Sequence, residues 1–253
     1  MKIISGRAKT GKSTYIYDEI KKEIDKNTGT NLILLVPDMM TYQTEYDIIQ
    51  RLNNEGIMDV EILSFKRFAL KILEEVGGIN TTDINSFGKI MLLKQLFEEN
   101  ADDLKLYRKS SNQEGFLNEF NQLLQELKQN LVDIDSLSAV KDSTDNYFLA
   151  GKLSDIELIY SKYIEKTKDK FVDEEDKFGL AISMISKSKY IKNSKIWIDG
   201  FESFTQQRIK FIKGLVDYSK SVSLSLNIDS DYLSDIEAFD DFEAFRTIYE
   251  TYE

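Results

Sequence analysis

The 253 residues include no cysteine, no histidine and a single proline. Without cysteine there is no disulfide, no thiolate metal site and no cysteine-held iron–sulfur cluster. Without histidine the commonest general base and the commonest zinc ligand are missing. Any chemistry therefore falls to carboxylates, lysine, arginine and hydroxyls. One proline and 12 glycines leave few breaks, which predicts long helices. No apolar run approaches the ~18 residues of a membrane span, and the N-terminus lacks a signal-peptide layout. With the missing cysteine, this fits a cytoplasmic chain with no membrane partner. Basic residues are outnumbered 33 to 44, and the net charge of −11 argues against strong autonomous nucleic-acid binding. A local basic stripe is still compatible with it. Hydrophobic residues make up 42%, as in a globular protein, and the length suffices for one large domain or two small ones.

What the chain does have begins at its sixth residue. Gly6-Arg7-Ala8-Lys9-Thr10-Gly11-Lys12-Ser13 is a complete G-x-x-x-x-G-K-[ST] phosphate-binding loop. Met1–Ser5 supplies a short strand before it, and a helical run to Lys26 follows, starting near Lys12 with Thr14 in its first turn. This context gives the motif its mechanism. Successive backbone N–H groups of the turn and the positive end of the helix dipole converge on one anion. Lys12 reaches the β- and γ-phosphates, and the Ser13 hydroxyl ligates Mg2+, so the expected cofactors are ATP and Mg2+.

The rest of the pattern is α/β at both ends. Asn31–Val36 is a continuous apolar run stopped by Pro37, as for a strand buried on both faces of a parallel sheet. Val60–Leu63 is a third strand. Ser64 then caps a helix to about Val76, with Gly77-Gly78 as its stop. Strands return at Lys195–Ile198 and Val222–Asn227 around a helix from Thr205 to Ser219. Between Asn85 and Lys187 the pattern is helical almost throughout. Its apolar stripes are Phe87, Ile90, Met91, Lys94 and Phe97; Phe116, Phe120, Leu123, Leu127 and Leu131; and Leu153, Ile156, Tyr160 and Tyr163. These read as core packing, with loops at Lys109–Glu114 and Lys141–Asn146. Asp235–Glu253 is acidic and helix-prone. The expected architecture is a parallel-sheet domain, residues 1–80 and 190–253, with an all-helical domain, residues 81–189, inserted between its halves.

A phosphate loop needs an acidic residue at the end of a neighbouring strand to hold the Mg2+ shell. Asp199 is the candidate; it also reads as part of an ordinary Asp-Gly turn. Gly200 follows, and Glu202 lies further on.

Five segments, taken together, resemble one family. They are Gly6-Arg7-Ala8 with Gly11-Lys12-Ser13-Thr14; Leu35-Val36-Pro37 with Thr41, Gln43 and Glu45; Leu63-Ser64-Phe65-Lys66-Arg67; Lys152-Leu153, Asp155-Ile156, Ile159-Tyr160 and Tyr163 with Asp173 and Asp176; and Ile198-Asp199-Gly200-Phe201 with Phe204-Thr205. In this order and spacing they are similar to the N-terminal part of the B subunit of AddAB-type ATP-dependent helicase–nucleases, over essentially the whole chain. The resemblance implies a superfamily 1 (UvrD/Rep-like) helicase fold: a P-loop, RecA-like domain 1A with an inserted domain 1B. It also implies bacterial double-strand-break repair and recombination, an A subunit as heterodimer partner and main motor, and DNA as substrate. The second motor domain and the nuclease of such proteins have no counterpart here.

Thr41, Tyr42 and Gln43, then Ser64, Phe65, Lys66 and Arg67, match segments that contact single-stranded DNA in related helicases. Their hydroxyl, amide, cationic and aromatic groups suit phosphates and bases; they also read as a capped helix with surface charges and a core Phe. The departures are Lys9-Thr10 for the commoner Gly-Ser, Asp38-Met39 for Glu-Gln, and Gln206 and Arg208 for Pro and Glu. In helicases a catalytic Glu follows the Asp directly, where this chain has Gly200. A non-hydrolysing DNA-binding scaffold is therefore the alternative to an ATP-using subunit. A P-loop kinase is a third reading, opposed by the large helical insertion.

Overall fold

The structure is a computed structural model that describes residues 1–51, 59–77, 82–113 and 115–228. Gly78 and the expected helix Asp235–Glu253 lie outside these residues. From the N-terminus the elements are β1 (Lys2–Ser5), α1 (Lys12–Lys26), β2 (Asn31–Leu35), α2 (Thr41–Arg51), β3 (Val60–Leu63), α3 (Phe65–Val76), β4 (Thr82–Asp83), α4 (Ser86–Glu99), α5 (Phe116–Gln129), α6 (Ile134–Ser143), α7 (Tyr147–Thr167), β5 (Phe171–Val172), α8 (Glu174–Met184), α9 (Lys189–Lys192), β6 (Ser194–Ile198), α10 (Gln206–Tyr218) and β7 (Ser221–Leu226). They form two compact units, Met1–Gly78 with Phe178–Glu253, and Ile79–Lys177.

The first unit is built on a parallel five-stranded sheet in the order β1-β7-β6-β2-β3. Parallel pairing brings the C-terminal ends of all five strands to one edge. β2 sits between β6 and β3, with Ile33 opposite Ile196 and Glu61. Its run Leu32–Val36 is at most 5% exposed, because helices cover both sheet faces. On one face, Leu34, Val36, Ile62 and Trp197 pack with Ile16 and Ile20 of α1 and Ile48 of α2. The strand residues of opposite parity, Ile33, Leu35, Ile196 and Ile198, are fully buried too. Rings from α3, α8 and α10 form a second apolar layer, in which Phe65 meets Phe178, Phe201, Phe204 and Phe211 edge-on or tilted. α3 begins and stops as its sequence predicts: Ser64 accepts from the Arg67 N–H, and Gly77 at φ 79° ends the helix.

The second unit has its own core, made by Leu93, Leu96, Phe97, Phe120, Leu124, Ile159 and Tyr163 among others. Four expectations need correction here. The unit is not all helical, because β4 and β5 pair in parallel, Thr82 with Phe171 and Asp83 with Val172. Two-residue strands carry no periodicity to read. The stripe on α4 holds only at its end: Phe97 is buried as expected, but Phe87 is 71% and Met91 59% exposed, and the buried face is completed by Lys89, Leu93 and Leu96. Leu131 lies beyond the end of α5, at φ 56°, and is exposed. Residues 141–143, expected in a loop, complete the last turn of α6, whose N-cap Asp133 accepts from the Ser136 N–H.

Two polar features hold this unit. Asp155, 1% exposed, accepts from the backbone N–H groups of Lys105, Leu106 and Tyr107 at 2.8, 2.8 and 2.9 Å. Lys128 of α5 donates to Asp173 at 2.7 Å and Asp176 at 2.9 Å, with Lys89 Nζ 3.9 Å from Asp173 and 3.6 Å from Glu175.

Candidate nucleotide-binding site

The loop Gly6–Gly11 joins the end of β1 to the start of α1, at the sheet edge where all five strands finish. Its tight course needs left-handed backbone at Lys9, φ 65°, and Gly11, φ 91°. At Gly6 an added Cβ would lie 2.6 Å from the Thr10 hydroxyl, which itself donates to the Arg7 carbonyl at 2.8 Å. Arg7, Ala8, Lys9 and Thr10 are exposed. The Lys12 ammonium folds back over the loop and donates to the carbonyls of Gly6 at 2.7 Å and Arg7 at 2.8 Å. Burial lowers the Lys12 pKa from its usual value, and the negative charge of Asp199 opposes that shift. Ser13 and Thr14 follow in the first turn of α1.

The N-terminus of α1, like that of α5, has a glycine N-cap with no side-chain acceptor; what sets α1 apart is the loop before it, with Lys12 folded onto its carbonyls. Helices α3, α4, α6, α7, α9 and α10 each have a side chain at the N-cap that accepts from their first turn. Gly11 at the N-cap of α1 has no such acceptor. First-turn N–H groups without a side-chain acceptor are open to water or to an anionic ligand.

Asp199 directly follows β6, and its N–H donates to the Leu35 carbonyl at 2.9 Å. Its side chain is buried, and its Oδ1 accepts from the Ser225 hydroxyl. Ser225 lies on β7, the strand between β1 and β6, and is paired in register with Ile4. The Tyr17 phenol of α1 is raised by burial and by the charge of Asp199, with a bond to Thr44 opposing the shift. Ser225, the partner of the Asp199 carboxylate, is a residue that the sequence reading passed over. Ser225 carried one signal: a hydroxyl on the strand Ser221–Leu226, which is buried from Val222 onward.

Among the described residues no cluster of three or more carboxylates could hold a metal ion unaided. Mg2+ does not need one, since it binds through one or two protein groups with substrate phosphates and water. Ser13 and Asp199 fit that requirement. Gly200 sits at φ 80°, where an added Cβ would come within 3.0 Å of Met40 Sδ and 3.4 Å of Pro37 Cδ. Glu202 is exposed.

The residues matched to single-stranded DNA contacts divide in two. Tyr42 is 79% exposed on α2, beside Gln43, which donates to Asp47 at 2.7 Å, and Thr41, which donates to the Asp38 carbonyl at 3.0 Å. Lys66 and Arg67 are exposed on the first turn of α3. Ser64 and Phe65, in contrast, are 1% and 3% exposed. Ser64 is the helix cap and Phe65 the centre of the ring cluster, so neither has a face left for a ligand.

A family model described as ADDB, N-terminal, matches residues 3–253. The chain belongs to the AddB N-terminal family. Curated relatives include the B subunit of the ATP-dependent helicase/deoxyribonuclease of Alkaliphilus oremlandii, 36% identical over 230 residues, covering 90% of this chain and 20% of the relative. The proteins of the same name from Listeria innocua and Clostridium tetani are 35% and 33% identical, covering 100% of this chain and 21% and 22% of theirs. This AddB-family chain thus spans about a fifth of the length of these relatives. The loop, Asp199 and Ser225 all lie inside the matched span. Among the described residues no helix is long and apolar enough to cross a membrane.

Proposed function

We propose that this chain is the ATP-binding, helicase-like N-terminal region of the B subunit of an ATP-dependent helicase–deoxyribonuclease acting in DNA double-strand-break repair and recombination. The sheet unit is read as a P-loop, RecA-like domain 1A, and Ile79–Lys177 as the inserted domain 1B. The observation that carries the reading is one sheet edge holding three things: a helix N-terminus with no side-chain cap, a glycine-rich loop with Lys12 folded onto it, and the buried Asp199. Phosphates of ATP would take the loop N–H groups, and Lys12 would exchange its two carbonyls for them. Ser13 and Asp199 would hold Mg2+, which supplies charge neutralisation at the phosphates. Thr41, Tyr42, Gln43, Lys66 and Arg67 are proposed as DNA contacts, with Tyr42 offering a stacking face. The A subunit of the complex is the expected heterodimer partner, and the cytoplasm the expected location.

Gly200 favours a second reading, in which ATP is not hydrolysed and the fold serves DNA contact and assembly. No carboxylate stands where helicases keep their water-activating Glu, and Glu202 is exposed. The test is calorimetric titration of Mg-ATP into the chain, with Lys12→Ala as control. Binding that is lost in the variant is the expected result. An absence of binding by folded wild-type chain would overturn the ATP-site assignment, leaving the scaffold reading.

A further inference from the structure

We infer that Ser225 is a positioning residue for Asp199, and that its hydroxyl sets the Mg2+ dependence of nucleotide binding at this site. The inference rests on the ATP-site reading above and adds a residue that no motif contains. Three observations carry it. Ser225 and Asp199 are 4% and 6% exposed, so their mutual bond is shielded from competition by water. The Ser225 hydroxyl donates to Asp199 Oδ1. β7 lies between β1, which leads into the glycine-rich loop, and β6, which leads into Asp199. Ser225 pairs with Ile4 of β1 and stands one residue past Leu224, the partner of Ile198 at the end of β6.

The physical consequence follows from the chemistry of a carboxylate. An aspartate beyond the end of a strand can rotate about its side-chain torsions and present either oxygen. A hydroxyl on the adjacent strand that donates to Oδ1 fixes the carboxylate plane and leaves Oδ2 for a cation. Such outer-shell partners orient metal ligands, and losing one typically weakens metal binding by 10–100-fold. The sheet also delivers this hydroxyl rigidly, since β7 is hydrogen-bonded on both sides. A serine elsewhere in the strand would not serve: Ser223, two residues earlier, pairs with Lys2 at the start of β1 and with Trp197, short of the C-terminal edge.

The experiment compares ATP affinity with Mg2+ and with EDTA in wild type, Ser225→Ala, Ser225→Thr and Asp199→Asn, read by calorimetry on this chain. The expected result is that Ser225→Ala reduces the Mg2+-dependent gain in affinity by about tenfold, leaves EDTA affinity unchanged, and is rescued by Ser225→Thr. Asp199→Asn should remove the same component. A merely structural serine would lower both affinities together or neither. If wild type gains affinity with Mg2+ and Ser225→Ala keeps that gain in full, this inference is overturned while the ATP site stands. Equal affinity of wild type with Mg2+ and with EDTA overturns it in the same way. If folded wild type binds no ATP in either condition, the ATP-site reading falls and takes this inference with it.

Discussion

Lys9 adopts φ 65° at a loop position where the family resemblance leads one to expect glycine. A side chain in left-handed backbone costs roughly 1–2 kcal/mol, of which glycine avoids most while losing some entropy on folding. Lys9→Gly should therefore raise stability by about 0.5–1 kcal/mol in urea titration, because the loop then reaches its course without strain. A lower midpoint would show that the Lys9 side chain holds the loop through contacts of its own. Gly200 is the opposite case. Its φ of 80° and the contacts awaiting a Cβ at Met40 and Pro37 exclude any side chain without rearrangement. Gly200→Glu, which restores the helicase pattern in sequence, should cost about 1–3 kcal/mol and yield no ATP turnover. The measurement is a coupled phosphate-release assay beside thermal unfolding. Turnover in the variant would mean that the 199–201 turn can re-form around a carboxylate.

At the scale of elements, the buried ion pair of α5 makes a prediction with a definite pH sign. Burial pushes Asp173 up, but the charge and hydrogen bond of Lys128 outweigh it and hold the carboxyl below its usual value. Burial likewise pushes Lys128 down, and Asp173 with Asp176 more than reverses this. A depressed carboxylate contributes stability above its unfolded pKa and loses it as pH falls through the folded value. A raised ammonium contributes below its unfolded pKa and loses it as pH rises through the folded value. The pair is thus at full strength across neutral pH. Lys128→Met leaves Asp173 buried with only the more distant Lys89, and should cost about 3–5 kcal/mol at neutral pH. Without Lys128, burial would carry the Asp173 pKa upward, so the folded variant would take up a proton that the unfolded chain does not. The deficit should therefore shrink as pH falls from neutrality through the raised Asp173 pKa of the folded variant. Asp176, which burial and the charge of Asp173 hold above its usual value, faces the same space, as do Glu175 and the Tyr163 phenol. The comparison must therefore be with wild type at each pH. A deficit independent of pH would show that Asp173 keeps its charge balanced by Lys89 alone.

This cluster also explains where the sequence misled. Strand β3 and helix α3 were legible because alternation, a serine cap and a glycine stop agree on them. On α4 two faces compete, both with helical spacing. The buried one contains Lys89, whose charge is matched by Asp173 and Glu175 from far along the chain, and the Phe87–Met91 face carries Lys94, so spacing alone does not separate them. The loop Gly6–Ser13 was legible because its glycines, lysine and serine are contiguous. Ser225 was not, because its partner Asp199 is 26 residues away and only the order β1-β7-β6 joins them. Phe65 shows the limit of resemblance: its segment matches a DNA-contacting one, yet its ring is the hub of a core layer.

At the scale of the whole molecule, the proposed nucleotide chemistry is confined to one unit. The loop, Ser13, Asp199 and Ser225 all belong to Met1–Gly78 and Phe178–Glu253, while the core of Ile79–Lys177 is assembled from its own residues. This separation can be tested through a residue that touches only the second core. Leu96 is fully buried there, among Leu93, Phe97 and Phe120. Leu96→Ala should cost about 2–5 kcal/mol, since the cavity it leaves is lined by side chains fixed on neighbouring helices. That loss should be seen in unfolding monitored by far-UV circular dichroism. Below the unfolding transition, Mg-ATP affinity should stay at the wild-type value, because no strand or loop of the site packs in that core. Local stability differs across such units, and a site is lost only when its own unit opens. A fall in ATP affinity parallel to the loss of stability would mean that the helical unit supports the phosphate loop energetically, and that the inserted segment is part of the nucleotide site's machinery.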